Sequence, residues 1–178
     1  KTLKQSGTLP WEKALEIVMQ VARGLKHAHE HGIIHRDIKP GNVVVTPKGV
    51  AKILDLGLSK TIGGDEHTFH TQTGVALGTP HYLSPEQARG DKSIDGRTDI
   101  YSLGAMFYHL VTGMTPFEGS TAAVIMLKHL NEQLTNPQDI VEDLPDGVAH
   151  VIMRMMAKEP NDRYRDCKEL LDDLELVI

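Results

Sequence analysis

Apolar residues recur at Leu15, Val18, Ala22 and Leu25, with His29 closing the series, in steps of three and four. That spacing puts them on one face and predicts an amphipathic helix near the start of the chain. Thr8 is its candidate cap, Pro10 suits a first turn in which no N–H is needed, and Gly32 ends it. The rhythm then changes. Val43–Val45 and 51–54 are short apolar, β-branched runs around Thr46-Pro47-Lys48-Gly49, which predicts a hairpin. Residues 100–111 are apolar on nearly every side, with Leu103, Met106, Phe107 and Leu110 covering several faces, as in a buried helix. Gly113 and Pro116 stop it. Three more amphipathic helices are predicted over 121–132, 147–157 and 166–176. Between 58 and 84 no period holds, and Gly63, Gly64, Gly74, Gly78 and Pro80 mix with five threonines. A stretch that long is uncommon in a compact domain unless it is functional or disordered. The pattern is mainly α, one helical lobe with a β-hairpin at its active edge.

Composition narrows the class. At 178 residues, 40% hydrophobic and 24% charged, the chain suits one domain or one large lobe of a bigger domain. A net charge of −5 argues against a nucleic-acid partner, which would select a basic stripe. Cys167 is the only cysteine, so no intrachain disulfide can form and a reducing compartment is the natural setting. No apolar run approaches the ~18 residues of a membrane span, and no signal peptide opens the chain. A soluble, cytoplasmic protein is expected. The opening Lys1-Thr2-Leu3-Lys4 has no initiator methionine and runs into a helix, as if cut from a longer protein.

The chemistry gathers in His35-Arg36-Asp37-Ile38-Lys39-Pro40-Gly41-Asn42, followed by Asp55-Leu56-Gly57. One short stretch carries a carboxylate, an ammonium, a carboxamide and a second carboxylate. That set can orient a hydroxyl, neutralise developing charge and offer oxygen ligands to magnesium, which is what phosphoryl transfer requires. The predicted hairpin holds the block and Asp55 at fixed separation.

With these motifs the chain resembles the C-terminal lobe of a eukaryotic-type, bacterial-like serine/threonine protein kinase. The resemblance covers all of 1–178 as one catalytic domain, C-lobe only. It divides into a catalytic loop at 34–42, an activation segment at 55–86 and a helical subdomain at 95–178. It implies ATP and Mg²⁺ as cofactors and protein Ser/Thr side chains as substrates. Asp37 would orient the attacking hydroxyl, Lys39 would reach the transferring phosphate, and Asn42 and Asp55 would hold Mg²⁺. Thr79, in Gly78-Thr79-Pro80, would bridge Asp37 and Lys39. Arg36 would receive a phosphorylated Thr71 or Thr73. His35, Glu86, Asp99 and Arg163 take scaffold roles: Glu86 would pair with Arg163, and Asp99 would bind the backbone of the His35–Asp37 turn. Two departures from the family pattern are Leu56, where Phe is usual, and Ser84 in Ser84-Pro85-Glu86, where Ala is usual.

The same residues admit other readings. No G-x-G-x-x-G occurs among the sixteen glycines, and no strand lysine with a helix glutamate precedes the catalytic block. Lys52, in Val50-Ala51-Lys52-Ile53, mimics that lysine but follows the block. The nucleotide-gripping N-lobe is therefore an expected partner outside this chain, and the chain alone is expected to be inactive. A pseudokinase or scaffold lobe is the non-enzymatic alternative. Small-molecule phosphotransferases share the H-x-D-x-x-x-x-N block but lack the activation segment and its anchor. The resemblance leaves room for a membrane anchor outside the chain. His27, His29 and His31 invite a metal reading, but no third ligand at plausible spacing supports it. Met153, Met155 and Met156 read as core filling.

Overall fold

A computed structural model describes residues 8–54 and 80–177. Six helices and one hairpin follow in order: α1 (Trp11–Glu30), β1 (Val43–Val45), β2 (Ala51–Ile53), α2 (Pro85–Arg89), α3 (Arg97–Thr112), α4 (Ala122–Asn131), α5 (Asp146–Met155) and α6 (Cys167–Glu175). Single 3₁₀ turns lie at Pro40–Asn42, Pro80–Tyr82, Pro137–Asp139 and Pro160–Asp162, each opened by its proline.

The organising element is α3. All its residues except Arg97 and His109 are buried, which matches the apolar content on every side of its sequence. It packs on α1 along one flank and on α5 along another, while α6 covers α1 from below. Gly104 permits the α3–α5 approach: a Cβ there would lie 2.7 Å from Met155 Cβ. Met155 and Met156 are in the core, and Met153 is half-buried. The α1 stripe behaves as its spacing predicts, with Leu15, Val18, Ala22 and Leu25 all buried.

The start of α1 differs from expectation. Pro10 is the N-cap and no side chain caps the helix. Thr8 is drawn elsewhere, because Leu9 N–H donates to Leu110 O at 2.8 Å, carrying this segment to the end of α3. There Thr8 Cγ2 lies 2.7 Å from where a Gly113 Cβ would sit. Gly113 takes φ +75, so it also serves as the left-handed stop of α3. At the C-terminus of α1, Gly32 turns the chain at φ +73.

The hairpin is antiparallel with Val43 opposite Ile53 and Val45 opposite Ala51. Its ladder continues one step beyond β2, where Leu54 N–H donates to Asn42 O at 2.8 Å. Gln20 of α1 fixes the turn from behind, donating to Gly49 O and accepting from Ala51 N–H.

Candidate active site

Between α1 and β1 the chain is nailed down by apolar side chains and exposes polar ones. Ile34, Ile38 and Val43 are buried at 7%, 1% and 0% exposure, so Asp37, Lys39 and Asn42 between them form a short external rim on the core, with His35 buried beneath. Asp99, fully buried in the first turn of α3, shapes that rim. Its Oδ2 accepts from His35 N–H at 2.8 Å and its Oδ1 from Arg36 N–H at 2.7 Å. Two successive amides therefore face one carboxylate. Arg36 takes φ +65, and among the described residues no other non-glycine has positive φ. Holding a side-chain-bearing residue there costs about 1–3 kcal/mol, which the charged hydrogen bonds offset.

A third donor reaches Asp99. His29 Nε2–H donates to Oδ2 at 2.8 Å from the last turns of α1. Its Nδ1 lies 3.7 Å from the Cys167 thiol. Burial first, then the charges of Asp99 and Asp166, push that thiol up to about 12. His31 instead donates from Nδ1 to His27 O at 2.8 Å, and its ring lies 4.5 Å from that of His27, so His29 alone of the three turns to Asp99. Among the described residues no group of His, Cys, Asp or Glu is placed to hold a metal ion.

His35 joins the rim to the hairpin. A carbonyl can only accept, so Nε2–H donates to Leu54 O at 2.9 Å. That leaves Nδ1 to accept from Asp37 N–H at 3.2 Å. On the rim itself three side chains converge. Lys39 Nζ donates to both Asp37 carboxylate oxygens at 2.8 and 2.7 Å. Asn42 Nδ2 donates to Asp37 O and to Asp37 Oδ2, both at 2.8 Å. The Asp37 side chain remains 60% exposed, so its carboxylate is positioned yet open to an incoming group.

Behind the rim lies the segment from Pro80 to Arg89. The Tyr82 hydroxyl and His109 Nδ1 share a hydrogen bond of 2.6 Å, and His81 Nδ1–H donates to Phe117 O at 3.0 Å. Burial raises the Tyr82 hydroxyl to about 12. Burial, and then the charge of His81, lowers the His109 imidazole. Ser84 is more than a stand-in for alanine. It is the N-cap of α2 in a reciprocal capping box with Gln87, and its Oγ bonds Thr98 Oγ1 at 2.5 Å.

Glu86 meets Arg163 bidentately, at 2.8 Å on each oxygen. Arg163 also donates to Ala157 O, Arg97 O and Lys158 O, so every guanidinium N–H has an acceptor. Its guanidinium carbon lies 4.8 Å from the Tyr101 ring centroid. Burial would raise the Glu86 carboxyl, but the hydrogen bonds and charge of Arg163 outweigh it and hold the carboxyl below its usual range.

The structure thus brings together Asp37, Lys39 and Asn42 on the rim, His35, Arg36 and Asp99 beneath it, and Glu86 with Arg163 behind it. Asp55, Leu56, Thr71, Thr73 and Thr79 lie outside the described residues. Two polar roles at the site are not read from the sequence, where His29 stands only on the apolar stripe and in the histidine string. Gln87 had a visible signal, the Ser-x-x-Gln spacing from Ser84.

A carboxylate, an ammonium and a carboxamide thus share one rim, backed by a hairpin and an α-helical core. The protein kinase domain family matches residues 1–174, and the chain belongs to that family. A probable serine/threonine-protein kinase of Clostridium perfringens is 42% identical over 175 residues, 98% of this chain and 25% of the relative. The serine/threonine-protein kinase PksC of Streptomyces coelicolor is 41% identical over 171 residues, 96% of this chain and 30% of that protein. For the serine/threonine-protein kinase PknB of Mycobacterium tuberculosis the figures are 37% over 171 residues, 96% and 27%. The chain spans about a quarter of the length of the curated relatives it matches. Among the described residues no helix is long and apolar enough to cross a membrane.

Proposed function

We propose that this chain is the catalytic-loop and substrate-binding lobe of a serine/threonine protein kinase, transferring the γ-phosphoryl group of Mg·ATP to Ser or Thr of protein substrates. The observation that carries the reading is the Asp37–Lys39–Asn42 cluster, preorganised on a rim that Asp99 holds from beneath. Asp37 accepts the hydrogen bond of the substrate hydroxyl and aims it. Lys39, already over the Asp37 carboxylate, moves to the transferring phosphate and offsets its charge. Phosphoryl transfer gains mostly from such alignment and electrostatics. Thr79 bridges Asp37 and Lys39.

The donor set suits Mg²⁺. Asn42 spends its amide N–H groups on Asp37, and its Oδ1 accepts nothing among the described residues. That oxygen and the Asp55 carboxylate are ligands for a hard cation, which neutralises the phosphate chain when bound. Arg36 supports a regulatory reading. Its Nε is buried and has no hydrogen-bond partner among the described residues. A phosphate on Thr71 or Thr73 would satisfy it.

ATP grip requires a glycine-rich loop and a lysine on the phosphates, and this chain holds no G-x-G-x-x-G. The lobe therefore acts with a nucleotide-gripping N-lobe elsewhere in a longer, cytoplasmic or membrane-anchored protein. The test is phosphate transfer from radiolabelled ATP to a permissive protein substrate by that longer protein. Transfer that stops in Asp37→Asn and in Asp55→Asn is expected. Transfer surviving either change overturns the assignment, and its absence from the unaltered protein would favour a scaffold.

A further inference from the structure

The peptide group joining Arg36 to Asp37 is gripped at both ends, and one grip comes from outside the catalytic loop. Its N–H, on Asp37, donates to His35 Nδ1 at 3.2 Å. Its C=O, on Arg36, accepts from Gln87 Nε2 at 2.8 Å. Gln87 stands in α2, directly after the Glu86 that Arg163 locks to the core. Its other amide atom is also used, since Oε1 accepts from Ser84 N–H at 3.1 Å. The amide can face only one way, because the Ser84 partner is a donor and the Arg36 partner an acceptor. The side chain is half-buried in this bridge.

The bridge falls where the backbone most needs it. Arg36 holds the left-handed conformation, and Asp99 secures its N–H from α3. Nothing in α3 secures its C=O; Gln87 does. Without that contact the 36–37 peptide keeps only the 3.2 Å bond to His35 Nδ1, so it swings more widely about the Arg36 ψ bond and takes the Asp37 carboxylate with it. From this geometry we infer that Gln87 is a positioning residue for Asp37, one that makes catalytic alignment depend on how α2 is seated. Unseating the Ser84-Pro85-Glu86 anchor withdraws the amide from Arg36 O and releases the peptide. The inference rests on the role proposed above for Asp37, because it concerns what keeps that carboxylate aimed.

The two hydrogen bonds of the amide allow a clean separation. Gln87→Glu keeps an oxygen for Ser84 N–H, and so keeps the capping box, but removes the donor to Arg36 O. Gln87→Met removes both. In the full-length protein, Gln87→Glu is expected to lower kcat about tenfold or more, since small misplacements of reacting groups are costly. KM for ATP and the thermal midpoint should change little. Gln87→Met should lower both kcat and the midpoint. Hydrogen-exchange mass spectrometry on the same proteins supplies a readout independent of turnover. The segment containing the Asp37 amide should exchange about tenfold faster in either variant. Turnover of Gln87→Glu within twofold of wild type, or unchanged exchange around Asp37 in Gln87→Met, overturns the inference. If the unaltered protein transfers no phosphate, the kinase reading fails, and the exchange comparison still decides whether Gln87 holds the peptide.

Discussion

Arg163 and Glu86 form a closed pair: two parallel contacts of 2.8 Å, with the side chains 0% and 6% exposed and every other guanidinium N–H on a backbone carbonyl. Removing one partner strands a buried charge, so Arg163→Met or Glu86→Gln should cost about 3–5 kcal/mol in chemical denaturation. The double variant should lose less than the sum of the single losses. Arg163→Lys should also be costly, because an ammonium cannot satisfy the fork and three carbonyls together. Strictly additive losses would show that the two residues do not act as a pair.

Asp37 is the reverse case. Its carboxylate is largely exposed and its neighbours Lys39 and Asn42 are surface residues, so its loss should leave the fold intact. Asp37→Asn in the full-length protein is expected to reduce phosphoryl transfer at least about a hundredfold, with the unfolding midpoint nearly unchanged. Equal losses of activity and stability would place Asp37 in the scaffold.

His29 holds the third bond on Asp99. His29→Leu leaves the buried carboxylate one donor short, and should destabilise the protein by about 1–3 kcal/mol. His29→Gln, which can present an N–H from a similar distance, should recover part of that loss. An unfolding midpoint for His29→Leu equal to wild type would mean that the imidazole contributes packing alone.

His129 makes acid stability a testable quantity. It is fully buried, shares a 2.8 Å hydrogen bond with the Tyr101 hydroxyl and packs edge-on against Phe117. Burial first, then the charge of Lys158, lowers its imidazole from 6.5 to about 3. A lowered folded-state value means that the unfolded chain binds the proton first. Stability conferred by the neutral ring is therefore complete above 6.5 and drains away as pH falls towards about 3. The contribution can reach about 1.4 kcal/mol per pH unit. His129→Gln should be less stable near neutrality but flatter across this window. Parallel curves for variant and wild type would exclude His129 as a source of acid sensitivity.

Cys167 is 2% exposed and its thiol is pushed up to about 12, so it should resist a thiol-specific chromogenic reagent in the native protein. Release of colour should follow unfolding, at the rate of global unfolding. Prompt labelling under native conditions would mean that the α6 terminus opens locally.

What was legible in the sequence was local or periodic. The α1 stripe, the hairpin runs and the buried helix at 97–112 each announce themselves within a few turns, although α3 begins a turn before its apolar run. Asp37, Lys39 and Asn42 were legible because they sit in one block whose order dictates their meeting. Over long separations, the family resemblance supplied Glu86 with Arg163 and Asp99 with the His35–Asp37 turn, and spacing alone supplied nothing. His29 and Asp99 are 70 positions apart, and no period links them. The left-handed Arg36 is likewise invisible locally, since arginine has no preference for it; the contacts that accompany it come from Asp99 and Gln87, far along the chain. Thr8 failed as a cap because a tertiary bond to Leu110 outbid a local one.

The hairpin has one more consequence, for tolerance to changes in length. Asn42 and Leu54 face each other across the ladder, so the strands work as a ruler whose near marks are the carboxamide on the rim and Leu54. A residue added within 46–48 lengthens only the far end of the ruler and leaves its near marks in place. A residue added to either three-residue strand slips the scale by one, turning each following side chain to the opposite face. Drift in loop length is therefore harmless at the tip and ruinous a few residues away.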